Sequence, residues 1–193
     1  MSKTPVVAAK ALTSDPMALD FNRNHFELFG LPVVYQLDTG LLEATYRQLQ
    51  AQVHPDKFAH LSEAEKRVSM QWSTRVNEAY QTLKLPLNRA VYLLQLNGID
   101  ALAQTNTHLP AVFLMQQMEW REAIQEARDS LNLAALQQIE GEISAQTKTW
   151  REQLLLQLDQ QHDLAAATDT VRQLKFVDKI TAEIDDTYAI LDN

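Results

Sequence analysis

Apolar residues recur at helical steps on both sides of one proline. Leu42, Tyr46, Leu49 and Val53 are spaced four, three and four apart, which lines one face of an α-helix. Pro55 stops that pattern. The residue before a proline is pushed out of the helical region, so His54 is expected to be extended and His54, Pro55 and Asp56 to sit in a loop. Ser62 and Glu65 then have the spacing of a capping box. They restart a helix carrying Val68, Trp72, Val76, Ala79, Tyr80 and Leu83 on one face. Such a chain is expected to form a helical hairpin with a polar tip.

The rest of the chain fits this helical pattern. Its 193 residues suit one or two small domains, and only four glycines and 7% aromatics, with abundant Leu, Ala and Gln, point to an all-α fold. There is no cysteine. That excludes a disulfide framework, a thiol nucleophile and cysteine-ligated zinc or iron–sulfur clusters, so no cofactor is expected and any cluster chemistry belongs to a partner. No run of eighteen apolar residues exists, which argues against a membrane span. Pro5 to Leu12 lacks the long apolar core of a secretory signal, so a cytoplasmic protein is expected.

Charge divides the chain. Residues 1–97 hold ten basic and nine acidic side chains, a net of +1, whereas residues 98–193 hold seven and sixteen, a net of −9. An acidic surface repels phosphate backbones and argues against nucleic-acid binding by the second half. From charge alone, a merely solubilising surface explains the asymmetry equally well.

In chain order, residues 1–22 are expected to form a loosely packed or disordered tail. A short helical turn with His25, Phe26, Leu28 and Phe29 follows, stopped by Gly30 and Leu31-Pro32. Asp38 is placed to cap the next helix, which runs to about His54. The helix after the loop ends near Lys84; Pro86 opens a fourth, and Asn97-Gly98 closes it. These elements define a first domain over 23–97. Residues 98–109, with the polar run Gln104 to Thr107, read as a connection. Over 110–193 three helical patterns follow, to about Ser130, from Asn132 to Gln160 and from Asp163 to Leu191, as in a three-helix bundle.

Helical geometry sorts the bundle's side chains. Advancing about 100° per residue, Phe113, Trp120, Ile124 and Ala127 share a core stripe on its first helix, and Leu174, Val177, Ile184 and Tyr188 share one on the third. Leu114, Met118 and Phe176 point aside, and Glu119, Glu122 and Glu126 lie further round toward solvent. Because each helix of such a bundle touches two others, a wide stripe could still absorb Leu114 and Met118 into the core.

The hairpin resembles the J-domain of DnaJ-type co-chaperones, which stimulate the ATPase of a DnaK-type chaperone. The resemblance rests on Tyr46, Arg47 and Leu49 before the His-Pro-Asp triplet and Lys57 after it. It continues through Asn77-Glu78-Ala79-Tyr80, Leu83, Pro86, Arg89 and Tyr92. It implies that His54, Pro55, Asp56, Arg47 and Lys57 engage the chaperone. On residues alone, the triplet also reads as an ordinary turn. A metal site at His54, Asp56 and His60 fits poorly, with no cysteine and no helical His-x-x-x-His pair. The helix before the triplet departs from the usual pattern: it lacks a basic face, with only Arg47 and then Lys57 evident.

The chain from 25 to 193 is similar to the HscB family, co-chaperones of iron–sulfur cluster assembly. Phe26 to Pro32, Tyr35 to Thr39, His54 to Ala59, Phe113-Leu114-Met115 and Thr170 to Phe176 carry this resemblance. It implies an HscA-like DnaK-type chaperone partner and a client scaffold protein of the IscU kind. Leu114, Met118 and Phe176 then form the apolar part of a scaffold-binding surface, and Glu119, Glu122 and Glu126 its acidic part. Eukaryotic relatives carry a further cysteine-bearing N-terminal module, so the cysteine-free chain is expected to be of bacterial type. An enzyme fares badly as an alternative, since no nucleophile elbow, phosphate-binding loop or metal-ligand spacing is present. The closer alternative is a J-domain co-chaperone delivering another client to a general DnaK-type chaperone.

Overall fold

The computed structural model describes residues 22–53, 62–103 and 109–191. Among these residues all regular structure is helical: α1 (His25–Leu28), α2 (Thr39–Val53), α3 (Glu63–Lys84), α4 (Pro86–Leu96), α5 (Ala111–Asp129), α6 (Leu133–Leu155) and α7 (Leu164–Leu191). The chain divides into two compact units, Met1–Arg89 and Ala90–Asn193. That division falls inside α4, ahead of the connection expected at 98–109. Part of the connection belongs to the second unit because Ala101 is buried and its carbonyl accepts a hydrogen bond from Arg172 Nε on α7 at 2.9 Å.

In the first unit, local signals set the helix ends. The Asn24 side chain accepts from the Glu27 amide at 3.0 Å while Glu27 Oε2 accepts from the Asn24 amide at 2.9 Å, a reciprocal cap for α1. Gly30 follows at φ 62°, a left-handed conformation that strains residues with a side chain, and lets Leu31 N–H reach Phe26 O at 2.9 Å. Asp38 Oδ1 accepts from Leu41 N at 3.0 Å at the start of α2. Ser62 and Glu65 form the expected capping box of α3.

The apolar faces of the hairpin meet as their spacing predicts. Leu42, Leu49 and Val53 of α2 are buried, as are Trp72, Val76, Ala79, Tyr80 and Leu83 of α3. Each such large side chain contributes about 1.5–3 kcal/mol by leaving water. Tyr46 is half-buried and stacks on Tyr80, with ring centroids 3.9 Å apart, and donates its hydroxyl to Asn77 Oδ1 at 3.0 Å. Val68 is only half-buried; the next residue, Ser69, is the buried one. Arg89 is buried too, with Nη1 donating to Leu83 O at 2.6 Å, so it satisfies a carbonyl at the end of α3.

The second unit is an up-down-up bundle. Asn132 Oδ1 accepts from Ala135 N at 3.1 Å and Asp163 Oδ1 from Ala166 N at 3.0 Å, capping α6 and α7. Between them the last turn of α6 widens into a π-helical segment, Leu156–Gln161, that keeps Leu158 buried. Phe113, Trp120, Ile124 and Ala127 of α5 close on Leu136, Ile143, Trp150 and Leu154 of α6 and on Leu174, Val177, Ile180 and Ile184 of α7. Tyr188 departs from the expected stripe. It is half-buried, with its hydroxyl donating to Glu140 Oε2 on α6 at 2.6 Å. That hydrogen bond pushes its pKa up to about 12, with burial and the charges of Glu140 and Asp185 adding to it.

Candidate partner-docking surfaces

Residues 54–61 are bracketed by two anchored positions, Val53 and Ser62. His54, Pro55, Asp56 and Lys57 lie outside the described residues, as does His60. On the α2 side Val53 is fully buried, and its carbonyl, at the end of the helix, accepts a hydrogen bond from the buried Ser69 hydroxyl at 2.7 Å. On the α3 side Ser62 is held by Glu65 through its amide at 2.9 Å and its hydroxyl at 2.6 Å. The backbone is thus fixed immediately before His54 and immediately after Leu61. Ser69→Ala removes this donor from the buried Val53 carbonyl and is expected to destabilise the first unit by about 1–3 kcal/mol. Chemical denaturation measures this, and an unchanged midpoint would show that another donor takes over.

Arg47 is exposed on α2 and ion-paired with Glu43 at 2.5 Å. No other basic side chain lies on that helix, so α2 offers no net positive face. Near α1, burial holds the His25 imidazole below its ordinary value of 6.5; the Arg75 charge adds to this and Glu78 opposes it. The neutral form therefore prevails at this junction near neutral pH.

In the second unit, Leu114 is 45% exposed and Met118 71% exposed, so the core does not absorb them. Phe176 is half-buried on α7. Its ring meets Phe113 edge-on with centroids 5.9 Å apart, and the Arg121 guanidinium lies over it at 5.0 Å. Arg121 follows Leu114 by seven residues and Met118 by three, which places all three on one strip of α5. This strip adjoins α7 at Phe176.

On the other side of that strip, Glu119, Glu122 and Glu126 are exposed and follow one another at steps of three and four, making one acidic ridge. Sequence reasoning assigned no place to two further apolar side chains, Val112 at 79% and Met115 at 64% exposure. Their signal was present: both also point away from the Phe113 stripe, and Met115 starts the row that continues as Glu119 and Glu122. Exposed apolar groups gathered on one helix face mark an interaction site more often than chance. Among the described residues no cluster of three His, Asp or Glu could hold a metal ion, and no helix is long and apolar enough to cross a membrane.

Known proteins resemble this chain in sequence and fold. Residues 109–185 match the family model described as the HSCB C-terminal oligomerisation domain. A protein of Aromatoleum aromaticum named co-chaperone protein HscB homolog is 47% identical over 91% of this chain and 99% of its own length. A namesake from an Azoarcus species is 46% identical over 92% and 100%. The chain belongs to the HscB co-chaperone family.

Solved structures of the family carry the same fold. Chaperone HscB from Vibrio cholerae aligns with a TM-score of 0.76 at 40% identity, covering 86% of this chain and 98% of that one. Human co-chaperone protein HscB aligns with a TM-score of 0.81 at 34% identity, covering 87% and 83%. The all-α architecture expected from sequence, a J-domain followed by a three-helix bundle, is the one these HscB structures share.

Proposed function

We propose that this HscB-family chain binds an IscU-like iron–sulfur scaffold protein, delivers it to an HscA-like DnaK-type chaperone in the cytoplasm and stimulates that chaperone's ATPase. Leu114, Met118 and Phe176 take the scaffold, with Glu119, Glu122 and Glu126 as a charged rim. His54, Pro55 and Asp56 act on the chaperone, with Arg47 and Lys57 assisting. The chain itself performs no chemistry; nucleotide hydrolysis belongs to the chaperone and the cluster to the scaffold.

One observation carries this reading. The bundle already has a closed core in Phe113, Trp120, Trp150 and Leu174, yet it keeps Leu114 and Met118 in water beside Phe176. An apolar centre with an acidic rim suits a specific, transient partner. Because Arg47 is the only basic side chain on α2 and is paired with Glu43, docking to the chaperone draws little on long-range attraction. That favours a dedicated partner.

Joining the two sites on one chain raises the effective concentration of scaffold near the chaperone. A protease site placed within 104–108 and cut after folding is expected to preserve scaffold binding and basal ATPase stimulation and to abolish the synergy between them. Single-turnover ATPase assays with both partners read this. Full synergy in the cut protein would show that delivery does not depend on the tether.

A further inference from the structure

Arg121 occupies the join between the two helices of the apolar surface. Its guanidinium carbon lies 5.0 Å from the Phe176 ring centroid, and its Nη2 lies 3.4 Å from Glu183 Oε1 on α7. Both charged side chains are about half exposed, at 49% and 42%. Phe176 is therefore held on one side by the buried Phe113, edge-on at 86°, and on another by a cation that is itself steered by a carboxylate. An exposed ion pair of this kind adds little to folding. A guanidinium stacked on an aromatic face has a different use, because it limits where the ring can go.

We infer that Arg121 is a positioning residue for the docking surface: it holds the Phe176 ring against Phe113 so that the ring lies in register with Leu114 and Met118 before the partner arrives. The inference rests on the reading of that surface as the scaffold site. Docking to a ring already fixed avoids the entropic cost of immobilising it, so Arg121 acts on affinity through Phe176. Glu183 keeps the guanidinium in place and has the same sign of effect at smaller size. The acidic ridge of Glu119, Glu122 and Glu126 lies on the far side of Leu114 and Met118 and takes no part in this.

A double-mutant cycle tests the inference, with the full chain titrated calorimetrically against metal-free scaffold protein. Arg121→Ala is expected to raise Kd about three- to fivefold, the range of an exposed cation–π contact. Phe176→Ala is expected to raise it about tenfold or more, as for an aromatic anchor. In the Phe176→Ala background, Arg121→Ala should change Kd less than about twofold, since the two act as one unit. Arg121→Lys keeps the charge but loses the planar face, and should fall between parent and Arg121→Ala. It also replaces the alanine variant if that one does not fold. A loss from Arg121→Ala that persists in full without Phe176 would mean that the guanidinium touches the scaffold directly, and would overturn the positioning role. So would a Phe176-sensitive interaction indifferent to Arg121. Parent-like binding by Phe176→Ala would instead overturn the docking surface itself, and the inference with it.

Discussion

Replacing His54 by Gln is expected to abolish stimulation of the partner chaperone's ATPase while leaving the helical circular dichroism unchanged. The two halves of that expectation have separate physical grounds. Stability is insulated because the chain is anchored on either side of residues 54–61: Val53 is fully buried with its carbonyl bonded to Ser69, and Ser62 closes a capping box with Glu65. Loss of function follows if the His54 side chain makes the contact, because segments set between firmly anchored helices commonly carry binding groups. Gln keeps a polar side chain but removes the imidazole's ring and its titrating nitrogen. Single-turnover hydrolysis at saturating co-chaperone is the measurement. Full stimulation by His54→Gln would remove the triplet from the mechanism and leave the hairpin as a folding element.

Truncating Leu114, Met118 and Phe176 together to Ala is the second large effect, with scaffold binding by calorimetry expected to fall below detection. A buried large-to-small change costs about 2–5 kcal/mol of stability. Leu114 and Met118 are too exposed for that, at 45% and 71%, so their share of any loss should be small. Phe176 differs, because it packs on Phe113 and under Arg121; its edge-to-face contact is worth about 0.5–1.5 kcal/mol beyond area burial. The triple variant should therefore melt only slightly below the parent, and Phe176→Ala alone should account for most of the difference. Neutralising Glu119, Glu122 and Glu126 should give a smaller, salt-sensitive loss, expressed mainly in the association rate. A variant that melts far below the parent yet binds the scaffold normally would return these side chains to a structural role and leave the client site elsewhere.

Much of the fold was legible because its signals are local. The caps at Asp38, Ser62, Asn132 and Asp163 each bond the amide three residues on, and the stop at Gly30 needs only its own positive φ. The core stripe of Phe113, Trp120, Ile124 and Ala127 repeats at the helical period and is buried as that period demands. Even the outward direction of Leu114 and Met118 follows from counting 100° per residue. The sequence left open only whether a neighbouring helix covers them.

Contacts between residues far apart along the chain were not legible. Ser69 takes over from Val68 on the buried face because a carbonyl sixteen residues earlier needs a donor there. Tyr188 leaves the stripe because Glu140, on another helix, offers its hydroxyl a partner. Arg121 acquires its place only when α7 brings Phe176 and Glu183 beside it. By itself, then, the sequence determined the helices, their ends and the direction in which each side chain leaves its axis, since all of these depend on neighbours within one or two turns. Tertiary structure alone decided which of the outward apolar side chains stay in water and which polar groups find partners. Those outcomes depend on where a second helix passes, and no periodicity within the first one encodes that.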